Sequence, residues 1–359
     1  MPPKLNALRI LFVSAASNSI GFGHLSRCLA LAAYAQKCGA NVGFLVFGNV
    51  SAEVRVNSAG FGCILLDESK INTANLARAR EVQADVVIVD LLFQGFFATA
   101  SPLRLFQRLR GLGRCLVVID VPGDGSIAHR LPKLFVDIVI NPYVTIRGEV
   151  PSTCRRYLEG AEYALLGAEY VNLTPRRQRR IANRVLISCG GSDPKGYTLE
   201  ILRGLEGVAL PLEIRVAVGP LFSVELRAEI DRLVITSQQK ISQVIAPPTL
   251  LSEMLWCDLA IGASGLTKYE FAATGTPTLL FSIDEHHDSV NRPFADRLTS
   301  IDLGVGVSVD QVRHEATKVL RSIFLRCAMA KQGKALVDGE GSKRLFNAIK
   351  EELSCYKTN

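Results

Sequence analysis

One histidine near the start of the chain is placed to exchange a proton. His24 follows Ser14-Ala15-Ala16-Ser17-Asn18-Ser19-Ile20-Gly21-Phe22-Gly23, a small, polar stretch whose glycines let backbone N–H groups approach a ligand. Imidazole is the side chain whose ordinary pKa lies nearest neutrality, which suits it to general acid or base work. The apolar run 8–13 before the loop predicts a buried strand, and Leu25, Cys28, Leu29 and Ala32 after it predict one face of a helix. His24 then stands where that helix begins. The dipole there disfavours imidazolium, leaving a neutral His24 able to accept a proton. An ordinary strand–helix turn carrying a surface histidine has the same spacing, and the residues alone weigh the two evenly.

Three other clusters could bind or react. Cys189-Gly190-Gly191-Ser192-Asp193-Pro194 follows the strand-like Arg184–Ser188, and a phosphate could lie on the N–H groups of Gly190, Gly191 and Ser192. Asp193 fits the N-cap of the next helix and Pro194 its first turn. Ala263-Ser264-Gly265-Leu266-Thr267-Lys268-Tyr269-Glu270 follows a second strand-like run, 257–262. A phosphate over Ser264-Gly265 and a ribose diol on Glu270 is the functional reading, since a carboxylate accepts two hydrogen bonds from a diol. Thr267 and Glu270 also have capping-box spacing, which makes Glu270 a plain cap. Asp284-Glu285-His286-His287-Asp288 lies after the strand-like Thr278–Ser282, with Asn291 opening the next helix. These two adjacent histidines and their acids fall short of a zinc-site spacing, so no metal and no cofactor are expected.

Elements that could position these groups alternate along the chain. Strand-like runs at 42–47, 63–66, 86–90, 115–120 and 137–141 are separated by helix-like runs, among them 52–59 before Gly60 and 102–112 before Gly113. Strands alternating with helices imply a parallel sheet with right-handed crossovers, whose functional groups gather at the carboxyl ends of the strands. Asp90, Asp120 and Asn141 fall at such ends, where each could equally cap a turn. Near Arg176 the regular pattern breaks and then restarts. Two domains follow, 1–175 and 176–359, as the 359 residues would suggest on length alone. The expected architecture is α/β, two Rossmann-like doubly wound domains facing each other across a cleft.

Composition bounds the remainder. Apolar residues make up 48% and charged residues 21%, which describes a packed globular chain. There is no apolar run long enough to span a bilayer and no cleavage pattern of a signal peptide. Nine cysteines without a C-x-x-C pair read as reduced thiols of a cytoplasmic protein. The net charge of +7 includes the run Arg176-Arg177-Gln178-Arg179-Arg180, read first as a solvated connector. Excess positive charge suits an anionic small substrate, and nothing beyond charge points to nucleic acid. The sequence assigns no oligomeric state.

The pattern Ile20-Gly21-x-Gly23-His24-x-x-Arg27-Cys28-Leu29-x-Leu31-Ala32 resembles the nucleotide-sugar hydrolase of pseudaminic acid biosynthesis and its spore-coat polysaccharide relatives. Four further segments agree in order, so the resemblance spans most of the chain. They are Tyr163-Ala164-Leu165-Leu166-Gly167-Ala168-Glu169-Tyr170; Gly190-Gly191-Ser192-Asp193; Ser264-Gly265-x-Thr267-x-x-Glu270 with Gly275-x-Pro277; and Asp338-Gly339-x-Gly341-x-x-Arg344. The second half is also similar to the peptidoglycan glycosyltransferase that adds N-acetylglucosamine.

The resemblance implies the GT-B fold and a UDP-sugar held mainly by the second domain, with CMP as the other candidate nucleotide. His24 falls on the family histidine, which would activate water to displace UDP with inversion, in surface-glycan or nonulosonic acid biosynthesis. Gly190, Gly191, Ser192, Ser264, Gly265, Leu266, Thr267 and Glu270 would hold the nucleotide. Gly21, Gly23, Arg27, Asp90, His287 and Asn291 would face the rest of the substrate. No metal is needed, because UDP is a good leaving group and helix N-termini stabilise its growing charge.

Three positions depart from the hydrolase pattern. An Arg and an Asp before Ser-x-x-Ile-Gly are replaced here by Val13 and Ala15, and a Tyr after the acid of the strand at 86–90 is replaced within Leu91-Leu92. All three would face the sugar, so a glycosyltransferase with the same donor site, His24 deprotonating an acceptor hydroxyl, is the alternative. A transferase acting on lipid-linked acceptors would show an exposed apolar patch, for which Leu91-Leu92-Phe93-Gln94-Gly95-Phe96-Phe97 is the candidate, although a buried helix start explains that run too. A nucleotide-sugar sensor without turnover is a third reading.

Overall fold

The alternation of apolar strands and amphipathic helices builds two parallel sheets. The structure, a computed structural model, describes residues 7–356 except 18, 72–74, 94, 100, 145–149, 151, 152 and 248, so Asn18 and Gln94 lie outside the described residues. One compact unit comprises Met1–Ala168 and Gly339–Asn359, the other Glu169–Asp338.

In the first unit the strands are β1 (Arg9–Ala16), β2 (Asn41–Gly48), β3 (Gly62–Leu66), β4 (Ala84–Asp90), β5 (Gly113–Ile119), β6 (Val136–Asn141) and β7 (Cys154–Glu159). They lie in the order β3-β2-β1-β4-β5-β6-β7, each pair parallel. In the second the strands are β8 (Arg184–Ser188), β9 (Glu213–Val218), β10 (Lys240–Ile245), β11 (Leu259–Ala263), β12 (Thr278–Ser282) and β13 (Ile301–Val305). Their order is β10-β9-β8-β11-β12-β13, again all parallel. The winding direction reverses between β1 and β4 in one sheet and between β8 and β11 in the other. Open α/β sheets form their ligand crevices at such reversals, outside the carboxyl ends of the strands.

Central strands are apolar on both faces because helices cover both. Ile10 and Phe12 of β1 join Val86, Ile88, Cys115 and Val117 in one apolar layer. Leu11, Val13 and Ala15, one residue out of step, join Val87, Val89, Leu116 and Val118 in the other. Leu91, Leu92 and Phe96 are also buried in this second layer. The run at 91–97 is therefore largely core. Val13, Ala15 and Leu92, expected to face a sugar, are corrected to core packing positions.

The domain expectation needs two corrections. The units part at 168/169 rather than 175/176, and the segment from Gly339 returns to the first unit. Helix Gly341–Cys355 is the reason: its Leu345, Phe346, Ala348 and Ile349 fill the layer containing Ile10 and Phe12, with the Phe346 ring against Tyr34 at 5.8 Å. Gly341 itself cannot carry a side chain, since a Cβ would lie 2.2 Å from the Ala164 carbonyl oxygen. Helix Pro102–Arg110 stops at Gly111, two residues before the expected Gly113, which opens β5 instead.

Candidate functional site

Each sheet carries half of the candidate chemistry at its reversal point. In the first unit β1 runs into a loop tied by the Gly21 N–H to the Ser17 carbonyl (2.8 Å), with Gly21 at φ +83°. Space around Gly21 and Gly23 is open. Helix Gly23–Lys37 starts directly behind, so His24 lies in its first turn.

Asp90 ends β4, the neighbour of β1, and its carboxylate meets the histidine. His24 Nδ1 donates to Asp90 Oδ1 at 2.5 Å. Arg27, one turn further along the helix, donates through Nε to Asp90 Oδ2 and through Nη2 to Asp90 Oδ1 at 2.6 Å. Its Nη1 donates to the Tyr143 hydroxyl at 3.1 Å. Asp90 is fully buried. Burial alone would raise its pKa, but the Arg27 guanidinium and then His24 hold it well below the usual carboxylate range. A carboxylate accepting from Nδ1 fixes the tautomer and leaves the lone pair on Nε2. The Phe93 ring lies edge-on to the imidazole at 6.5 Å, and the His24 side chain keeps 15% of its surface exposed. This histidine is oriented from behind and open in front.

Two expectations change here. Asp90 and Arg27 were expected against the substrate. Both are buried, with Asp90 on His24 and Arg27 on Asp90 and Tyr143. The spacing of His24 and Arg27 on one helix face was visible in the sequence; their meeting with Asp90, 66 residues away from His24, needed the strand order.

In the second unit two loops leave the carboxyl ends of β8 and β11, whose Ser188 and Gly262 are paired in register. Gly190 (φ +81°) and Gly191 are exposed with open space around them. The loop is braced from behind, because Leu221 N–H donates to the Gly191 carbonyl at 2.9 Å. Asp193 caps the next helix from a distance: Oδ1 accepts from Tyr197 N–H and Oδ2 from Thr198 N–H, both at 2.9 Å. The helix Tyr197–Glu206 starts after Gly196, so Asp193 is not its N-cap residue and Pro194 lies outside it. The left-handed φ of Asp193, +39°, shows how tightly this loop turns.

In the second loop Gly265 takes φ +124° with open space beside it, and helix Thr267–Thr274 begins after Leu266. Ser264 Oγ is buried with no hydrogen-bond partner among the described residues. A buried hydroxyl without a partner costs free energy that a ligand oxygen would recover. Glu270 is no capping-box residue, since Leu266 is the N-cap and no side chain caps the helix. Desolvation pushes its carboxyl up to about 7.

The last cluster divides. Asp284 caps helix Glu285–Asp296 by accepting from His287 N–H (2.9 Å), and His287 Nδ1 also donates to Asp284 Oδ1 (2.7 Å). His287 stays half-buried at the helix start. Asn291, expected against substrate, is corrected to an internal brace: it is fully buried, donates to the Phe281 carbonyl and Ser282 Oγ, and accepts from Lys268 Nζ at 3.0 Å. Among the described residues no group of three His, Cys, Asp or Glu side chains is arranged to hold a metal ion, and no helix is long and apolar enough to cross a membrane.

Two Rossmann-like units with parallel sheets, each bearing a glycine loop at its reversal point, define the glycosyltransferase GT-B fold. No family model matches the chain. It is similar to the spore coat polysaccharide biosynthesis protein SpsG of Bacillus subtilis (strain 168), 24% identical over 344 residues that cover 93% of this chain and 95% of the relative. Its fold resembles MurG of Acinetobacter baumannii with a TM-score of 0.68 at 17% identity, over 96% of this chain and 99% of MurG. HepE of Anabaena, solved with UDP-glucose, has a TM-score of 0.59 at 11% identity, over 96% of this chain and all of HepE (100%).

Proposed function

We propose that this chain is a nucleotide-sugar-dependent glycosyltransferase of surface-polysaccharide synthesis, with His24 as the base. The His24–Asp90 pair carries the reading: it presents an imidazole Nε2 with a fixed lone pair at the sheet reversal. SpsG, similar over nearly the whole chain, supports polysaccharide synthesis, and HepE with its UDP-glucose supports a UDP-sugar.

In the proposed step an acceptor hydroxyl gives its proton to His24 Nε2 as its oxygen bonds to the anomeric carbon. The bond from that carbon to the phosphate oxygen breaks, its electron pair leaves with UDP, and configuration inverts. Asp90 stabilises the imidazolium that forms. The leaving diphosphate lies on the N–H groups of Gly190, Gly191, Ser192, Gly265, Leu266 and Thr267, and Ser264 Oγ donates to it. Glu270 takes the ribose diol. No metal is assigned to this step.

Transfer is favoured over hydrolysis because Val13, Ala15 and Leu92 are core residues, so the Arg, Asp and Tyr of the hydrolase pattern have no counterparts at these positions. The test is UDP or CMP release from a panel of UDP- and CMP-sugars, with and without glycan acceptors. Release only with an acceptor is the expected result. Fast release into water would make the enzyme a hydrolase. His24→Ala should slow release by about 10²–10⁴-fold, the range of a lost general base, and leave nucleotide affinity unchanged. Retained turnover would remove His24 from the mechanism.

A further inference from the structure

The run Arg176-Arg177-Gln178-Arg179-Arg180 belongs to a larger basic surface of the second unit. Residues 171–192 hold five arginines, residues 316–337 hold five lysines and arginines, and neither segment contains an Asp or a Glu. Together they account for more than the whole net charge of +7. The two segments are fastened to each other. Arg326 Nη2 donates to the Arg179 carbonyl at 2.7 Å, and Lys334 Nζ donates to the Leu173 carbonyl at 2.6 Å.

Large apolar side chains stand exposed amid this charge. Phe324, in the first turn of helix Ile323–Leu336, is 86% exposed, and Ile181 is 78% exposed. Arg179 gathers them. Its carbonyl holds Arg326, two residues beyond Phe324, and its Nη1 donates to Asp258 Oδ2 at 3.1 Å. The same carboxylate oxygen accepts from the N–H groups of Asn183 and Arg184, which draws the segment carrying Ile181 against Asp258. Just before Asp258 come the exposed Leu255 and the half-buried Trp256, the one tryptophan of the chain. The guanidinium carbons of Arg215 and Arg184 lie 3.9 Å and 5.5 Å from the centre of the Trp256 ring. The carboxylates nearby are paired with arginine: buried Asp258 with Arg179, buried Glu253 with Arg215 at 2.5 Å, and Glu213 with Arg184 at 3.9 Å.

We propose that this face docks on an anionic membrane surface. The arginines meet lipid phosphates, Phe324 and Ile181 enter the boundary with the acyl chains, and Trp256 lies at headgroup level. A lipid surface uses both the charge and the apolar side chains, whereas a nucleic acid would use the arginines and gain nothing from Ile181. Strands β8 and β11 begin beside this face, at Arg184 and Leu259, and the glycine loops leave their opposite ends. Docking therefore leaves those loops clear, and the proposal stands independently of the reaction assigned to them.

Co-sedimentation of the full-length protein with vesicles tests this, with Trp256 emission read on the same samples. The wild type should bind vesicles of mixed phosphatidylglycerol and phosphatidylcholine, ignore pure phosphatidylcholine, and dissociate as salt rises from about 0.1 M to about 0.5 M. Trp256 emission should shift to the blue on binding. Arg180→Gln with Arg321→Gln, both exposed, should weaken binding roughly twentyfold. Ile181→Ser with Phe324→Ser should weaken it roughly tenfold or more. UDP affinity, the control for an intact second unit, should be unchanged in both pairs.

No binding to the anionic vesicles, or equal binding to neutral ones, would overturn the proposal. Binding that leaves Trp256 emission unmoved, or that both variant pairs retain in full, would place the contact on another face and overturn it too. A single-stranded oligonucleotide that binds through the same arginines and displaces the vesicles would assign the face to nucleic acid instead.

Discussion

Asp90 does two jobs that a single substitution separates. It orients His24 and it neutralises Arg27 in a buried site. Asp90→Asn keeps the shape but can present an N–H to Nδ1, which favours the wrong tautomer and removes the charge that supports imidazolium. Turnover should fall by about 10²–10⁴-fold, with nucleotide affinity unchanged. The same variant leaves the Arg27 guanidinium buried without its partner, which costs about 3–5 kcal/mol. Urea unfolding at neutral pH should show that loss. The stability difference should shrink as pH falls. Asp90 titrates below the usual carboxylate range in the folded state, so its contribution is present above about pH 4 and fades below it. A difference that stayed constant into acid would mean that Asp90 is not ionised at neutrality. At this scale the sequence was legible where residues act locally. His24, Gly21 and Gly23 sit on the loop that their spacing announced. It was silent where a partner comes from a distant strand, as with Asp90 on His24. Asn291 misled because a polar residue after a strand end reads alike whether it faces a ligand or, as here, Lys268 and Ser282.

Strands were legible in proportion to their burial. Central strands β1, β4, β5, β8 and β11 are continuous apolar runs, because helices cover both faces of a parallel sheet. The strands that the sequence did not announce, β7, β10 and β13, are all at sheet edges. Their residues, such as Cys154–Glu159 and Lys240–Ile245, are mostly half-buried or exposed and carry no apolar run. The glycine loops were legible as motifs, but the bracing behind them was not. Gly219, which closes β9, shows the consequence: a Cβ there would lie 2.3 Å from the Gly191 carbonyl oxygen and 2.7 Å from that of Gly190. Gly219→Ala must therefore push the loop that we assign to the diphosphate. Overpacking of this kind costs about 1–3 kcal/mol, and UDP affinity should fall by roughly tenfold or more. Gly43→Ala in β2, where a Cβ meets nothing within 4 Å, is the matched control and should leave affinity unchanged. Equal UDP affinity for Gly219→Ala and wild type would remove the 190–192 loop from the nucleotide site.

At the scale of the molecule, the chain begins in one unit, builds a second and returns to the first. That return was hidden from sequence reading because an amphipathic helix does not say which core its apolar face joins. Leu345, Phe346 and Ile349 are buried in the first unit's core, whereas the apolar cluster of the second unit includes no residue beyond 338. Burying each of those three side chains contributes about 1.5–3 kcal/mol, and together they rival the 5–15 kcal/mol of a typical domain. Deleting residues 339–359 should therefore unfold the first unit and spare the second. Calorimetry should resolve a lost or lowered transition beside one that is unchanged, and limited proteolysis should leave a resistant fragment close to 169–338. Turnover should vanish, since His24 belongs to the unit that melts, while the surviving fragment should still bind UDP through the loops after β8 and β11. Phe346→Ala is the milder form of the same test. It removes the ring packed on Tyr34 at a cost of about 3–5 kcal/mol and should lower only the first unit's transition. If both transitions fell together in either variant, the units would unfold as one cooperative body, and the assignment of separate tasks to separately stable units would fail.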